Sequence, residues 1–275
     1  MDADEGIMMF LLEGGNVFKH ADKSPATQRI NRNDVPTTVK WLEQVTGLNL
    51  MDAMVGSTGQ KDTSGDIDLA IDANVISKDA VMGALVNWCK KQGIPEDQIV
   101  NRKSKGKTPA MLDGWIDQSG IEIHFKAPIN GKPNNGYVQV DFNFLTQMTW
   151  SKFMLSAMPA DSQFKGVDRA VLFNSIGKPL GVKVSVHTGV HDRATNELVT
   201  TDPAKFATML LGPTGTVKDL ASVESTIAAL RNDPHRDIKL HDFAGYLEKS
   251  NRQLPQLESS AHPNNWFRYI NQRLK

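Results

Sequence analysis

Two aspartates separated by one residue lie in an otherwise apolar stretch of the chain. The segment DIDLAID begins at Asp66 and places Asp66 and Asp68 in alternation with Ile67, Leu69 and Ile71. Successive side chains of a strand point to opposite faces, so a strand here would carry both carboxylates on one face. Asp is depleted in strands, and neighbouring carboxylates raise each other's pKa unless a cation lies between them. The pattern therefore indicates a divalent-metal site.

A turn that contains glycine and serine precedes this strand. The apolar run from Ala53 to Val55 ends in Gly56-Ser57, and the loop up to Gly65 returns the chain to the aspartates. Glycine lets the backbone approach a phosphate closely, and amides that point out of such a turn form an anion site. The sequence thus places a candidate phosphate-binding turn next to candidate metal ligands.

A later segment carries a further aspartate. From Tyr137 to Phe144, apolar residues alternate with polar ones, and Asp141 is among the polar ones. This alternation is typical of a half-buried strand. If the two strands are neighbours, all three carboxylates converge. A solvated acidic strand edge is the alternative interpretation, but it is disfavoured because Asp is rare in strands.

These three elements resemble the signature of the nucleotidyltransferase superfamily, which includes DNA polymerase beta, poly(A) polymerases, CCA-adding enzymes and antibiotic nucleotidyltransferases. That signature consists of an apolar residue with Gly-Gly or Gly-Ser, an Asp-x-Asp strand, and a later strand with one more Asp. The chain supplies, in this order, Val55-Gly56-Ser57, Asp66-Ile67-Asp68 and Val140-Asp141-Phe142. Many members also have an Ala-Arg-Gly in the loop, whereas here Lys61 is the only cation of the loop.

The resemblance implies transfer of a nucleoside monophosphate from an NTP to an acceptor hydroxyl, with release of pyrophosphate. Asp66 and Asp68 would hold two Mg²⁺ ions, for which Mn²⁺ is a possible substitute, and Asp141 would complete the site. Hard cations of this kind prefer carboxylate and phosphate oxygens. The residues expected to bind the nucleotide are Gly56, Ser57, Lys61, Ser64, Lys165 and Arg169.

Two groups of cations further along the chain are candidates for substrate contacts. Lys165 and Arg169 lie about one turn apart in a predicted helix and would share one face. Members of the resembled family commonly place a cation of this kind over the triphosphate, although an ordinary surface pair fits the spacing equally well. A basic cluster would guide an RNA acceptor or the triphosphate, or else form a solvated loop. Its members are Arg102, Lys103, Lys105 and Lys107.

The composition indicates where the protein is located in the cell and which partners it can bind. Lys plus Arg and Asp plus Glu both number 31, so any contact with RNA must rest on a local patch. The single Cys89 cannot form an internal disulfide. No apolar run approaches the roughly 20 residues that a membrane helix needs. We therefore expect a cytoplasmic protein without membrane association.

The periodicities predict an α+β protein with two domains. Residues 1–150 are expected to form the nucleotidyltransferase domain, a small mixed β-sheet with flanking helices and an N-terminal extension at 1–33. Helices are predicted to start near Asp34 and after Ser77, and a hairpin should join a strand at 121–126 to the strand of Asp141.

Residues 151–275 are expected to form a mainly helical C-terminal domain that contains a β-hairpin. Its first helix is predicted from Phe164 to Ile176, and the hairpin from Val182 to Val199 with a turn near Gly189.

The resemblance implies a magnesium-dependent nucleotidyltransferase, and together with the basic cluster and the helical second domain it favours an RNA 3′ end as the acceptor, with tRNA among the candidates. A small molecule or a protein side chain is an alternative acceptor, and the balanced charge suits it better. A catalytically idle nucleotide-binding regulatory module is a third possibility. It is disfavoured because a protein with no metal to hold would gain nothing from grouping three carboxylates.

Overall fold

The computed structural model describes residues 17–20, 22–101 and 114–249. The chain divides into two compact units, Met1–Met148 and Thr149–Lys275, and each has its own hydrophobic core. The predicted boundary followed residue 150. The architecture is α+β, as predicted, with a mixed sheet in the first unit and mainly helices in the second.

The first unit is built on a mixed six-stranded sheet. The strands of the unit are β1 (Ile30–Asn31), β2 (Met54–Val55), β3 (Thr63–Ser64), β4 (Asp66–Asp72), β5 (Val100–Asn101), β6 (Ile116–Ser119), β7 (Glu122–Pro128) and β8 (Tyr137–Leu145). Strands β1 and β3 form a separate two-stranded ribbon, and the other six form the sheet. The sheet order is β2-β4-β8-β7-β6-β5. The pairs β4–β8 and β5–β6 are parallel, and the others are antiparallel. The predicted hairpin between β7 and β8 is confirmed.

The helices of this unit begin and end at local signals. They are α1 (Val35–Thr46), α2 (Lys78–Lys91) and α3 (Glu96–Ile99), and short 3-10 helices occupy Arg32–Asp34, Met51–Ala53, Ile129–Gly131 and Pro133–Asn135. Helix α1 ends at Gly47, whose φ of 74° is the left-handed conformation that glycine adopts without strain. The Ser77 side chain accepts a hydrogen bond from the Ala80 N–H and caps α2. Both predicted helix starts are confirmed.

Burial of one face of the sheet determines where the acidic residues point. Ile67 and Leu69 of β4 and Val140 and Phe142 of β8 are fully buried, in a core that α1 and α2 share. Burial of such a side chain contributes roughly 1.5–3 kcal/mol. Because alternate residues face opposite sides, this packing turns the aspartates of both strands to the other face. A slip of one residue would bury the charges instead.

The described part of the predicted N-terminal extension is an integral part of the first unit. Strand β1 pairs antiparallel with β3, and Ile30 opposes Ser64. The Gln28 N–H donates to the Tyr137 carbonyl at 2.8 Å, and Ile30 is fully buried. These contacts attach the segment before α1 to both the loop and the sheet.

The second unit combines helices with a small antiparallel sheet. Its elements are α4 (Met148–Met154, beginning at the last residue of the first unit), α5 (Gly166–Gly177), β9 (Val182–Ser185), β10 (Gly189–Asp192), β11 (Leu198–Thr200), α6 (Pro203–Leu211), α7 (Val223–Ala229) and α8 (Arg236–Lys249), with 3-10 helices at Lys178–Leu180 and Val217–Leu220. The sheet order is β11-β10-β9, so the predicted hairpin is present but a third strand extends it. The predicted helix begins two residues later than expected, at Gly166.

Aromatic side chains fill the core of the second unit. The rings of Trp150 and Phe206 lie 5.1 Å apart, and those of Phe173 and Phe206 lie 5.3 Å apart, both edge to face. Such pairs contribute about 0.5–1.5 kcal/mol beyond their area burial. Among the helices that the structure describes in either unit, none is both long and apolar enough to span a membrane.

Candidate metal centre

Three carboxylates meet on the polar face of β4 and β8. The parallel pairing sets Asp68 opposite Asp141 and Asp66 opposite Gln139. One oxygen from each of the three aspartates lies within 4.8 Å of the other two. Within the described part of the chain, no other group of three His, Cys, Asp or Glu residues comes together in this way. The predicted convergence of Asp66, Asp68 and Asp141 is confirmed.

The three aspartates repel one another. Burial, followed by the charge of Asp141, raises the pKa of Asp66. Burial and the charges of Asp66 and Asp141 raise the pKa of Asp68 well above its usual range. A cation among the three oxygens would remove the repulsion and reverse both shifts. A donor set of three carboxylates fits a hard ion such as Mg²⁺ or Mn²⁺, so the residues present suit the expected metal.

The glycine turn lies directly against the second aspartate. Gly56 has a φ of 65°, and a Cβ added there would lie 2.7 Å from Oδ2 of Asp68. The pairing of β2 with β4 sets Val55 opposite Asp68. The Asp68 N–H donates to the Thr58 hydroxyl at 3.0 Å. Only glycine satisfies both the left-handed backbone and the close approach at position 56.

The Ser64 side chain stabilises the loop that follows the turn. It is buried, and its hydroxyl accepts from the Gly59 N–H at 3.3 Å and donates to the Ser57 carbonyl at 3.2 Å. The Ser64 hydroxyl, which the sequence suggested as a nucleotide contact, is therefore engaged inside the loop. Ser57 and Lys61 are exposed, so both are open to a ligand.

Two arginines from the N-terminal segment hold the same loop. Arg29 donates to the Thr63 hydroxyl at 2.9 Å and to the Thr63 carbonyl at 2.8 Å. Arg32 donates to the Gln60 carbonyl at 2.7 Å. The charge of Arg29 also opposes the larger effect of burial on the pKa of Asp66. No local pattern pointed to either arginine, because the pairing of β1 with β3 brings them to the loop.

His124 and Gln139 contact the third aspartate. The register of β7 and β8 sets His124 opposite Asp141, and Nδ1 of His124 lies 2.8 Å from Oδ1 of Asp141. Gln139 Nε2 lies 3.0 Å from Oδ1 and 3.1 Å from Oδ2 of Asp141. Burial lowers the pKa of His124, but the bond to Asp141 and nearby carboxylate charges outweigh it, and the pKa is raised. Neither residue was among the predicted site residues: His124 reaches Asp141 through the register of β7 and β8, whereas Gln139 lies two residues before Asp141 on β8, a spacing that places both on one face.

The predicted arrangement of Lys165 and Arg169 on one helix face is wrong. Lys165 is exposed and precedes α5, and its N–H donates to Oδ2 of Asp168 at 2.7 Å. Arg169 is 1% exposed, and burial lowers its pKa to about 10. Its guanidinium donates to backbone carbonyls of the second unit, those of Phe153, Met154, Ser156 and Ala221. The two terminal nitrogens of the Arg169 guanidinium thus bind carbonyls of the second unit, which offsets much of the cost of burying its charge.

The predicted acceptor-binding cluster of Arg102, Lys103, Lys105 and Lys107 lies outside the described residues.

Comparison with known proteins does not assign a family: no family model matches the chain, and no curated protein matches it. The chemistry of the site has to be inferred from its own residues.

Proposed function

We propose that this protein is a magnesium-dependent nucleotidyltransferase that transfers a nucleoside monophosphate from an NTP to an acceptor hydroxyl. The observation that carries the proposal is the packing of a glycine turn against one of three clustered aspartates. The aspartates offer hard oxygen ligands, and the turn offers backbone amides for a phosphate. The likeness of these motifs to the nucleotidyltransferase superfamily supports the same chemistry.

Each residue of the site would have its own task. Asp66 and Asp68 would hold both Mg²⁺ ions, and Asp141 would complete the site that activates the acceptor hydroxyl. When bound, Mg²⁺ supplies charge neutralisation for the leaving pyrophosphate and lowers the pKa of the acceptor hydroxyl. The amides of Gly56 and Ser57 and the exposed Ser57 hydroxyl would donate to phosphate oxygens. The acceptor hydroxyl would lose its proton to water, and its oxygen would bond to the α-phosphorus as the bond to the pyrophosphate oxygen breaks and pyrophosphate leaves.

An RNA 3′ end is the proposed acceptor. The support for RNA is the basic cluster at Arg102–Lys107 and the likeness of the motifs to enzymes that extend RNA. A small molecule or a protein side chain is the alternative, and the formal net charge of +0 favours it because no overall field attracts a polyanion.

Label transfer from α-³²P-labelled NTPs tests the proposal. The full-length protein is incubated with Mg²⁺ and each of the four NTPs, in parallel with total RNA, mixed protein and aminoglycosides. We expect label on one class of acceptor, and EDTA should abolish it. Asp68→Asn should slow transfer on the order of 1,000-fold, which corresponds to about 4 kcal/mol of transition-state stabilisation.

Asp72→Asn is the matched control for this experiment. Asp72 ends the same strand outside the cluster, and its Oδ1 accepts from the Asn74 N–H at 2.9 Å, a bond that asparagine can keep. This variant should transfer label at the wild-type rate. Tight NTP binding with no label on any acceptor would contradict transfer and would support the idle nucleotide-binding module.

A further inference from the structure

A row of polar side chains crosses the sheet at the level of the metal centre. The registers align Asp68 on β4, Asp141 on β8, His124 on β7 and Asp117 on β6. Residues aligned across neighbouring strands share one face of the sheet. His124 is 8% exposed and Asp117 is 5% exposed. Buried polar groups such as these require partners, and both ring nitrogens of His124 lie near carboxylate oxygens.

His124 lies between two carboxylates. Its Nδ1 is 2.8 Å from Oδ1 of Asp141, and its Nε2 is 3.5 Å from Oε2 of Glu122. Both ring nitrogens therefore face oxygen atoms on the same sheet. Rotation of the imidazole would disrupt both contacts, so the ring is a fixed support for the Asp141 carboxylate.

Gln139 restrains the same carboxylate from a second direction. Its Nε2 lies within hydrogen-bonding distance of both oxygens of Asp141, at 3.0 and 3.1 Å. Its Oε1 accepts from the Val17 N–H at 2.9 Å. Because the backbone donor of Val17 requires the oxygen end of the amide, the nitrogen end has to face Asp141.

From these contacts we infer that His124, together with Gln139, is a positioning residue for the candidate metal centre. The two side chains hold the Asp141 carboxylate where one of its oxygens lies within 4.8 Å of oxygens from Asp66 and Asp68. Loss of an outer partner of a metal ligand typically costs about 10- to 100-fold in metal affinity. The inference deepens the proposed function and rests on its metal centre.

Titration with Mn²⁺ alone tests this role without NTP or turnover. Free Mn²⁺ is measured by electron paramagnetic resonance as the ion is added to the full-length protein. We expect His124→Leu to weaken Mn²⁺ binding about 10- to 100-fold, because Asp141 loses a partner while an apolar side chain keeps the site filled. His124→Asn should recover most of the affinity, because its amide can donate to Asp141 from a position close to that of Nδ1.

The matched control is His241→Leu, which makes the same substitution at an exposed histidine of α8 and should bind Mn²⁺ as the wild type does. Circular dichroism establishes that each variant is folded. A folded His124→Leu protein with unchanged or tighter Mn²⁺ binding would overturn the inference, and so would a His124→Asn protein as weak as His124→Leu. If His124→Leu does not fold, Gln139→Met tests the same restraint, and wild-type Mn²⁺ affinity there would overturn it.

Failure of the proposed function has a different signature. If the wild-type protein binds no Mn²⁺, the metal centre is absent and both proposals fail. If the wild type binds Mn²⁺ and the variants behave as expected, but no label is transferred, only the proposed reaction fails. If label is transferred and the His124→Leu and Gln139→Met proteins bind Mn²⁺ normally, only the positioning role fails.

Discussion

At the candidate metal centre, the residue Gly56 is constrained in two ways. Its left-handed backbone and its contact with Asp68 are separate requirements, since the first concerns φ and the second concerns space. An alanine would meet strain from the first and a collision with a carboxylate from the second. Gly47 shares the first requirement alone, because its φ is 74° and a Cβ there would meet nothing within 4 Å.

This difference makes Gly56→Ala and Gly47→Ala a matched pair. Both should lose about 1 kcal/mol of unfolding free energy through backbone strain. Gly56→Ala should lose more and should also weaken Mn²⁺ binding, because the new methyl group displaces the Asp68 carboxylate. Urea denaturation and Mn²⁺ titration measure the two effects. Equal losses in both variants, with Mn²⁺ binding unaltered, would show that the turn does not support the aspartate.

Among the elements, α8 is fastened to the second unit by a nearly buried ion pair. Lys239 donates to Oδ2 of Asp233 at 2.6 Å and to the Leu210 carbonyl at 2.9 Å. Burial raises the pKa of Asp233, but the bonds from Lys239 and from the His235 N–H outweigh burial and the pKa is lowered. A carboxyl whose pKa falls on folding stabilises the protein above its unfolded pKa and loses that contribution as the pH falls.

Asp233→Asn should therefore destabilise the protein in a pH-dependent way. The loss should be about 2–4 kcal/mol at pH 6, because the Lys239 ammonium remains buried without its counter-charge. The gap between variant and wild type should narrow as the pH falls below about 4, because the unfolded wild-type chain then binds a proton that the folded Asp233 carboxylate binds only at lower pH. Urea denaturation at pH 6 and pH 3 measures this difference in the free energy of unfolding. The control is Asp237→Asn, at a residue whose side chain is 80% exposed. If the difference in unfolding free energy between Asp233→Asn and the wild type does not change with pH, the stabilising role of the Asp233–Lys239 ion pair is refuted.

Local signals were sufficient to predict many of the elements. Ser77 and Gly47 mark helix ends through bonds within a few residues, and alternation identified β4 and β8. The same alternation predicted which face carries Asp141. These features depend on short-range geometry, which a sequence displays directly.

Features that depend on distant parts of the chain could not be predicted in this way. The metal-site prediction assumed that β4 and β8 are neighbours, and the sequence did not show that they are. Arg169 was expected on an accessible helix face with Lys165, yet it is buried and binds carbonyls that include that of Ala221, 52 residues further along the chain. The third strand, β11, is too short to show a period, and His124 acquires its role from a cross-strand partner.

For the molecule as a whole, the acidic cluster lowers the stability of the folded state at neutral pH. Folding raises the pKa of Asp66 and Asp68, so the folded protein binds more protons than the unfolded chain between the two pKa values. The free energy of unfolding therefore falls as the pH rises through that interval, and the cost is fully present above it. A site that must bind cations carries this cost whenever no cation is bound.

Asp68→Asn should reveal how much the clustered carboxylates reduce the free energy of unfolding. In EDTA at neutral pH the variant should be more stable than the wild type, on the order of 1 kcal/mol, because one pKa unit is worth about 1.4 kcal/mol. Mg²⁺ at 100 times its Kd should stabilise the wild type by about 2.7 kcal/mol and reverse the order, while the variant gains little. Thermal denaturation in EDTA and in Mg²⁺ measures both effects. A variant that is less stable than wild type in EDTA, or that gains equally from Mg²⁺, would contradict the expectation.

The bonds from Arg29 and Arg32 to the loop matter for anyone who trims this protein to a smaller fragment. The motifs that resemble the nucleotidyltransferase signature begin only at Val55, whereas Arg29 and Arg32 both lie upstream of α1. A fragment cut at the motifs would keep every aspartate and still lose the anchors of the glycine loop. Its inactivity would then report on a missing tether and would say nothing about the chemistry of the carboxylates.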